Sequence, residues 1–209
     1  MVDIGNLEEI IGEIDNQLND KDTVRELALK SSRAIRRLSR RIIKEIHNNK
    51  DPQETFKEAL QEVSKIKSII EDYPELFHAG FLRNGFQELA EAHLLWSISD
   101  EEVSFKKPEE LGITPSSYLV GLGDLIGELR RMTLDELTEG NIEEAEELLD
   151  KMETIKDMLN EFDYPQAIVP LKNKQDIARS LVEKTRGDIA ISSRNEMLKD
   201  KIDELLEEL

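Results

Sequence analysis

Apolar residues recur along the chain at steps of three and four, the spacing of one face of an α-helix. Ile4, Leu7, Ile10, Ile11, Ile14 and Leu18 predict a short amphipathic helix over residues 4–18. Asp20 or Asp22 is placed to cap a second helix over about 22–48, with Leu27, Ile35, Leu38, Ile42, Ile43 and Ile46 as its stripe. The segment NNKDPQ breaks it, and Pro52 suits the first turn of a third helix reaching about Glu71. Tyr73-Pro74 makes the next break. A helix then runs through Leu95 or Ser97, with a bend expected near Gly80 or Gly85. Residues 99–115 read as the one long polar linker. Ser116 or Ser117 opens a helix through Leu137, and Gly140 stands where a C-cap favours glycine. A helix over 141–162 follows. Pro165 and Pro170 then interrupt, before a helix ending near Arg186-Gly187 and a last amphipathic helix over roughly 190–208.

Composition agrees with this pattern. Glycine and proline are sparse, with 10 and 6 in 209 residues. Straight-chain residues that lose little rotamer freedom in helices dominate. We expect an all-α fold in a single domain over 1–209, because no internal repeat is seen and the linker is too short to require a boundary. No run of about 18 apolar residues predicts a transmembrane helix. The acidic N-terminus MVDIGNLEEI lacks the basic and apolar regions of a secretory signal, so a cytoplasmic location is the expectation. With no cysteine, disulfides, thiolate zinc sites and a cysteine nucleophile are excluded.

Four carboxylates fall where the pattern is otherwise apolar. Glu88 and Glu91 lie in FLRNGFQELAEAHLLW, and Asp124 and Glu128 in YLVGLGDLIGELRRM. The pairs are three and four residues apart, so each lies on one helical face. A carboxylate drawn towards a helical interior is costly unless protonated, paired or metal-bound. Gly85, Gly121 and Gly127 lie near these faces and would let two helices approach and gather the acids. Hard oxygen ligands of this kind suit Mg²⁺ or Mn²⁺ and, with the ion, phosphodiester cleavage. The alternative is a set of solvated faces, or acids paired with Arg83, Arg130 or Arg131. His93 points to another side of its helix and reads as a packing or surface histidine.

The formal charge of −18 argues against nucleic-acid binding by the surface as a whole. Between Arg25 and Lys50, however, nine Lys/Arg face only Glu26 and Glu45, a local balance of +7. Arg33, Arg37, Arg40, Arg41 and Lys44 form a ridge at three- and four-residue steps, with Arg36 beside it. Such ridges hold backbone phosphates without reading sequence. The alternative is a charged face paired with acidic helices. Binding on so acidic a protomer would be confined to a surface where the ridges of several subunits converge.

The strings GFQELAEAHLLW and YLVGLGDLIGELRRM resemble the translin family, and within it the catalytic translin-associated factor X (TRAX) branch. RELALKSSRAIRRLSRRIIKEIH resembles that family's basic first long helix, and VEKTRGDI a segment near its C-terminal end. The similarity spans about residues 20–195, and the GDLIGELRRM block is its most specific part. It implies an all-α fold of about seven helices assembling into a hollow, octamer-like shell. It also implies Mg²⁺-dependent endoribonuclease activity on enclosed RNA, with Glu88, Glu91, Asp124 and Glu128 as metal-binding and catalytic acids. The basic ridge carries over as a region for RNA contact. The compact chain suits a homo-oligomeric, prokaryotic or archaeal member. Two other readings stand beside the nuclease: a non-catalytic shell binding single-stranded RNA or DNA, and a helical assembly protein with no nucleic-acid partner.

Overall fold

The computed structural model describes residues 5–207, in which seven α-helices and one 3-10 turn occur with no strand. The helices are α1 (Gly5–His47), α2 (Gln53–Ile69), α3 (Gly80–Ser99), α4 (Pro108–Leu111), α5 (Pro115–Glu139), α6 (Ile142–Asn160) and α7 (Lys172–Glu207). The 3-10 turn covers Pro74–His78. The expected all-α fold of about seven helices is what the chain adopts.

Two predicted breaks are absent. The segments expected as separate helices over 4–18 and 22–48 are one helix of 43 residues, about 65 Å long at 1.5 Å per residue. Asp20 and Asp22 are therefore interior residues and not caps. No glycine or proline interrupts there, and the polar side chains bond along the helix or to the 3-10 turn packed near it. Asp22 accepts from Arg25 Nε at 2.8 Å, Thr23 Oγ1 donates to the Asn19 carbonyl at 3.0 Å, and Lys21 pairs with Glu75 at 2.6 Å. Likewise α7 runs through Gly187 without stopping. A mid-helix glycine costs about 1 kcal/mol relative to alanine. Its neighbours offset that cost, since Arg186 pairs with Glu153 and Glu183, and Asp188 with Arg130. Residue 4 and residue 208, at the outer limits of the predicted end helices, lie outside the described residues.

Other boundaries follow local chemistry. Thr114 caps α5 by accepting from the Ser117 amide at 3.1 Å, and Pro115 occupies the first turn. Gly140 closes α5 in the left-handed region, at φ +88. The predicted linker is not wholly irregular, because Pro108 starts the single turn of α4. It is tied down by His93, which is fully buried, stacks on Phe56 at 5.2 Å and accepts from the Lys106 amide at Nε2.

The helices pack in sequence. α1 lies between α2 and α3, α3 packs on α5, and α5 carries both α6 and α7. One buried apolar cluster joins Ile35 and Ile42 of α1 to Phe86 and Leu89 of α3, Leu125 and Leu129 of α5, and Met152 of α6. Each such side chain contributes about 1.5–3 kcal/mol on burial. The first turns of α1 and the last of α7 do not share in this core. Leu7, Ile10, Ile11, Ile14 and Leu18 are 42–61% exposed, and Ile191, Met197, Leu198, Ile202, Leu205 and Leu206 are exposed as well.

Candidate functional site

Where α5 crosses α3, a Cβ on Gly121 would stand 2.7 Å from the Gln87 carbonyl and 2.7 Å from Ala90 Cβ. Only glycine permits that approach, and it places Asp124 and Glu128 of α5 beside Glu88 and Glu91 of α3. The expectation that glycine gathers the acids holds at Gly121. Gly85 serves a different contact, against Ser32 of α1, and Gly127 faces open space. A third close approach, unforeseen, is at Gly123, whose Cβ position is filled by the stem of Lys174 from α7.

Three of the four acids have basic partners. Glu88 accepts from Arg36 Nε at 2.8 Å. Arg40 Nε stands 3.2 Å from Glu88 Oε2 as an ion pair without hydrogen-bond geometry, so that buried oxygen has no donor. Asp124 is engaged at one oxygen by Lys174 and at the other by Gln87. Glu128 Oε2 lies 2.7 Å from His47 Nε2 and 3.9 Å from Arg131. Arg130 turns away from the pocket, donating to Thr185 and Asp188 on α7.

Glu91 is the exception, with no ion pair or hydrogen bond to its carboxylate among the described residues. Burial pushes its carboxyl up from the ordinary 4.5 to about 8, and Asp124, Glu128 and Glu88 add to the rise; Lys174 opposes it. A group held protonated by burial and like charge marks a place where a cation would be favoured. The donor set of hard oxygens, with one buried oxygen lacking a donor, fits a divalent ion in kind. It is not preassembled: among the described residues no three Asp, Glu or His side chains stand as a ready ligand set. Side-chain rotation away from Arg36, Lys174 and His47 would be needed.

The basic ridge touches this pocket at Arg40. Arg33, Arg37, Arg40, Arg41 and Lys44 are all exposed. Arg40 belongs to the pocket through Glu88, while Arg41 pairs with Glu45 at 2.8 Å and lines a cleft towards α2 with Arg37. Arg36, His47, Gln87 and Lys174 were not among the sequence-predicted site residues. Arg36, Arg40 and His47 share a helical face by spacing, which was a legible signal. Lys174 is 50 residues from Asp124 and gave none.

A layered all-α bundle with four carboxylates at one helix crossing, flanked by a basic face of its longest helix, is the class of protein these observations define. The chain belongs to the translin family, whose profile matches residues 23–186. It is 39% identical to the uncharacterized protein MJ0175 of Methanocaldococcus jannaschii over 192 residues, 90% of this chain and 84% of that protein. The crystal structure of AfC3PO is similar at a TM-score of 0.75 and 32% identity, covering 87% of this chain and 96% of that one. AfC3PO in complex with duplex RNA gives 0.67 and 31%, covering 90% and 98%. Apo-NeC3PO, at 0.72 and 24% identity over 90% and 97%, shares the fold. No helix among the described residues is long and apolar enough to cross a membrane.

Proposed function

We propose that this protein is a divalent-metal-dependent endoribonuclease of the TRAX type, a prokaryotic or archaeal member that works as a homo-oligomer. The observation that carries the reading is Glu91: a carboxyl with no cationic partner among the described residues, raised to about 8 by burial and three other acids, next to the Arg36 and Arg40 side of α1. Glu88, Glu91, Asp124 and Glu128 would hold Mg²⁺ or Mn²⁺. Bound there, the ion supplies a water of lowered pKa and neutralises charge developing on a phosphodiester. The chain's own residues do the rest. Arg33, Arg37 and Lys44 hold backbone phosphates without sequence preference. Arg36 and Arg40 fix Glu88 and present positive charge at the pocket edge, and His47 orients Glu128. The similarity to AfC3PO, which has been described with duplex RNA, supports RNA as the substrate. The uncovered apolar stripes of α1 and α7 support assembly, since exposed faces of that size are rare on monomers.

The test is cleavage of single- and double-stranded RNA with Mg²⁺ by the wild type and by Glu91→Ala and Asp124→Ala. We expect loss of cleavage in both variants with RNA binding retained. Undiminished cleavage by both would end the nuclease reading.

A second reading has its own observation. Because Glu88, Asp124 and Glu128 already have basic partners, the acids can be structural and the protein a non-catalytic shell for single-stranded RNA or DNA. It predicts salt-sensitive binding with no metal-dependent turnover.

A further inference from the structure

We propose that Lys174 is a built-in counter-cation of the acidic pocket, competing with the divalent ion for Asp124 and so setting the affinity of the site for metal. The inference rests on the metal reading above.

Lys174 sits in the first turn of α7, which holds Lys172 and Lys174 and no acid. Positive charge at the N-terminus of a helix of 36 residues opposes the helix dipole, so the location is unfavourable by itself. What holds it is the pocket. Gln175 donates to the Leu159 and Phe162 carbonyls at 2.8 and 2.9 Å and fixes the start of α7. The absent Cβ of Gly123 then leaves room for the Lys174 stem against α5. The ammonium reaches Asp124 Oδ1, while Gln87 takes Oδ2, so both oxygens of Asp124 are claimed by the protein. The same charge opposes the rise at Glu91. One flexible side chain therefore neutralises part of the charge that a metal would neutralise. Its four-carbon stem, about a fifth exposed, gives it a path to swing out.

Competition and support make opposite predictions. A residue that merely orients Asp124 would weaken metal binding when removed, as the loss of an outer-shell partner does. A competing cation would strengthen it. The experiment is calorimetric titration of Mn²⁺ into the metal-free full-length protein, with thermal melting of the same samples. We expect Lys174→Met and Lys174→Gln to bind Mn²⁺ about tenfold tighter or more, from removal of one positive charge a few ångströms from the ion. Metal-free Lys174→Met should melt below the wild type and recover fully with Mn²⁺. Lys174→Arg, which keeps the charge, should bind as the wild type does. Binding no tighter than wild type in either neutral variant overturns the proposal, as does equal tightening in Lys174→Arg. If Lys174→Met fails to fold, Lys174→Gln, which keeps a donor, decides alone. Wild-type binding that Asp124→Asn removes leaves the metal reading intact whatever Lys174 does; no such binding overturns both.

Discussion

Replacing Glu91 with glutamine should make the metal-free protein more stable at alkaline pH and leave it unchanged in acid. Glu91 is raised from 4.5 to about 8, chiefly by burial. Between those values the folded protein holds a proton that the unfolded chain does not, so stability falls as pH rises. The contribution is fully present below about pH 4.5 and is lost as pH climbs through 8. At 1.36 kcal/mol per unit, a rise of this size corresponds to about 4 kcal/mol between pH 5 and pH 9. Relaxation of the partly accessible pocket reduces it to about 3 kcal/mol. For a chain of this length that is about 10 °C in Tm.

Glutamine keeps the shape and removes the titration. Thermal melts of both proteins in chelator at pH 5, 7 and 9 isolate the difference, because every other titrating group is common to both. We expect coincident midpoints at pH 5 and a gap of about 10 °C in favour of Glu91→Gln at pH 9. Excess Mg²⁺ should close that gap by stabilising the wild type alone, with release of protons on binding near neutral pH. Parallel curves at all three pH values would refute the reasoning, since they would mean that Glu91 does not carry the burial and like-charge cost.

Gly121→Ala should destabilise by about 1–3 kcal/mol, as the new Cβ meets backbone and Ala90 at 2.7 Å, whereas Gly127→Ala, facing open space, should gain about 0.5–1 kcal/mol; urea midpoints read both. Burial holds His93 down to about 4, so its contribution is present above about pH 6.5 and lost as pH falls towards 4. His93→Leu should therefore flatten the acid limb of the stability curve by up to about 3 kcal/mol relative to pH 7, at a constant cost from the freed Lys106 amide. Reversing the ridge with Arg33→Glu, Arg37→Glu and Lys44→Glu should weaken RNA binding and lower the slope of log affinity against log salt by about 2, measured by fluorescence anisotropy. An unchanged slope would remove the ridge from the interface.

The helices were legible because their apolar period and their proline and glycine boundaries act locally. The misreadings were also local. Asp20 and Asp22 look like caps, yet a cap needs a chain that leaves the helix, and here Arg25, Asn19 and Glu75 supply partners that keep it helical. Gly187 looks like a stop, yet the pairs at Arg186 and Asp188 hold the turn on either side. The four acids were readable from i, i+3 and i, i+4 spacing against an apolar background. Their pairing was not. Arg36 with Glu88, His47 with Glu128 and Lys174 with Asp124 span 52, 81 and 50 residues, and such contacts are set by how α1 and α7 dock. The sequence also marked Leu7, Ile10, Ile11, Ile14 and Leu18 as the apolar stripe of an amphipathic helix, and the stripe is real. Nothing within the described residues covers it.

On the proposed function, those long-range pairs bear on how a chain of net charge −18 would receive RNA at an acidic pocket. Four bare carboxylates would repel a phosphate. Here Glu88 faces Arg36 and Arg40, Asp124 faces Lys174, and Glu91 stays protonated up to about pH 8. Formal charge at the pocket is then nearly balanced before any ion binds. Of the other acids, Glu45 pairs with Arg41, and Glu58 and Glu62 share the cleft lined by Arg37 and Arg41, while those of α6, the end of α7 and the first turns of α1 lie on other parts of the chain. Arg33 and Lys44 alone are separated by about 16 Å along α1, twice the screening length of about 8 Å at physiological salt. Charges farther away than that contribute little to the potential at the ridge. A phosphate chain laid on α1 therefore meets the local excess of arginine and not the charge of the whole protomer.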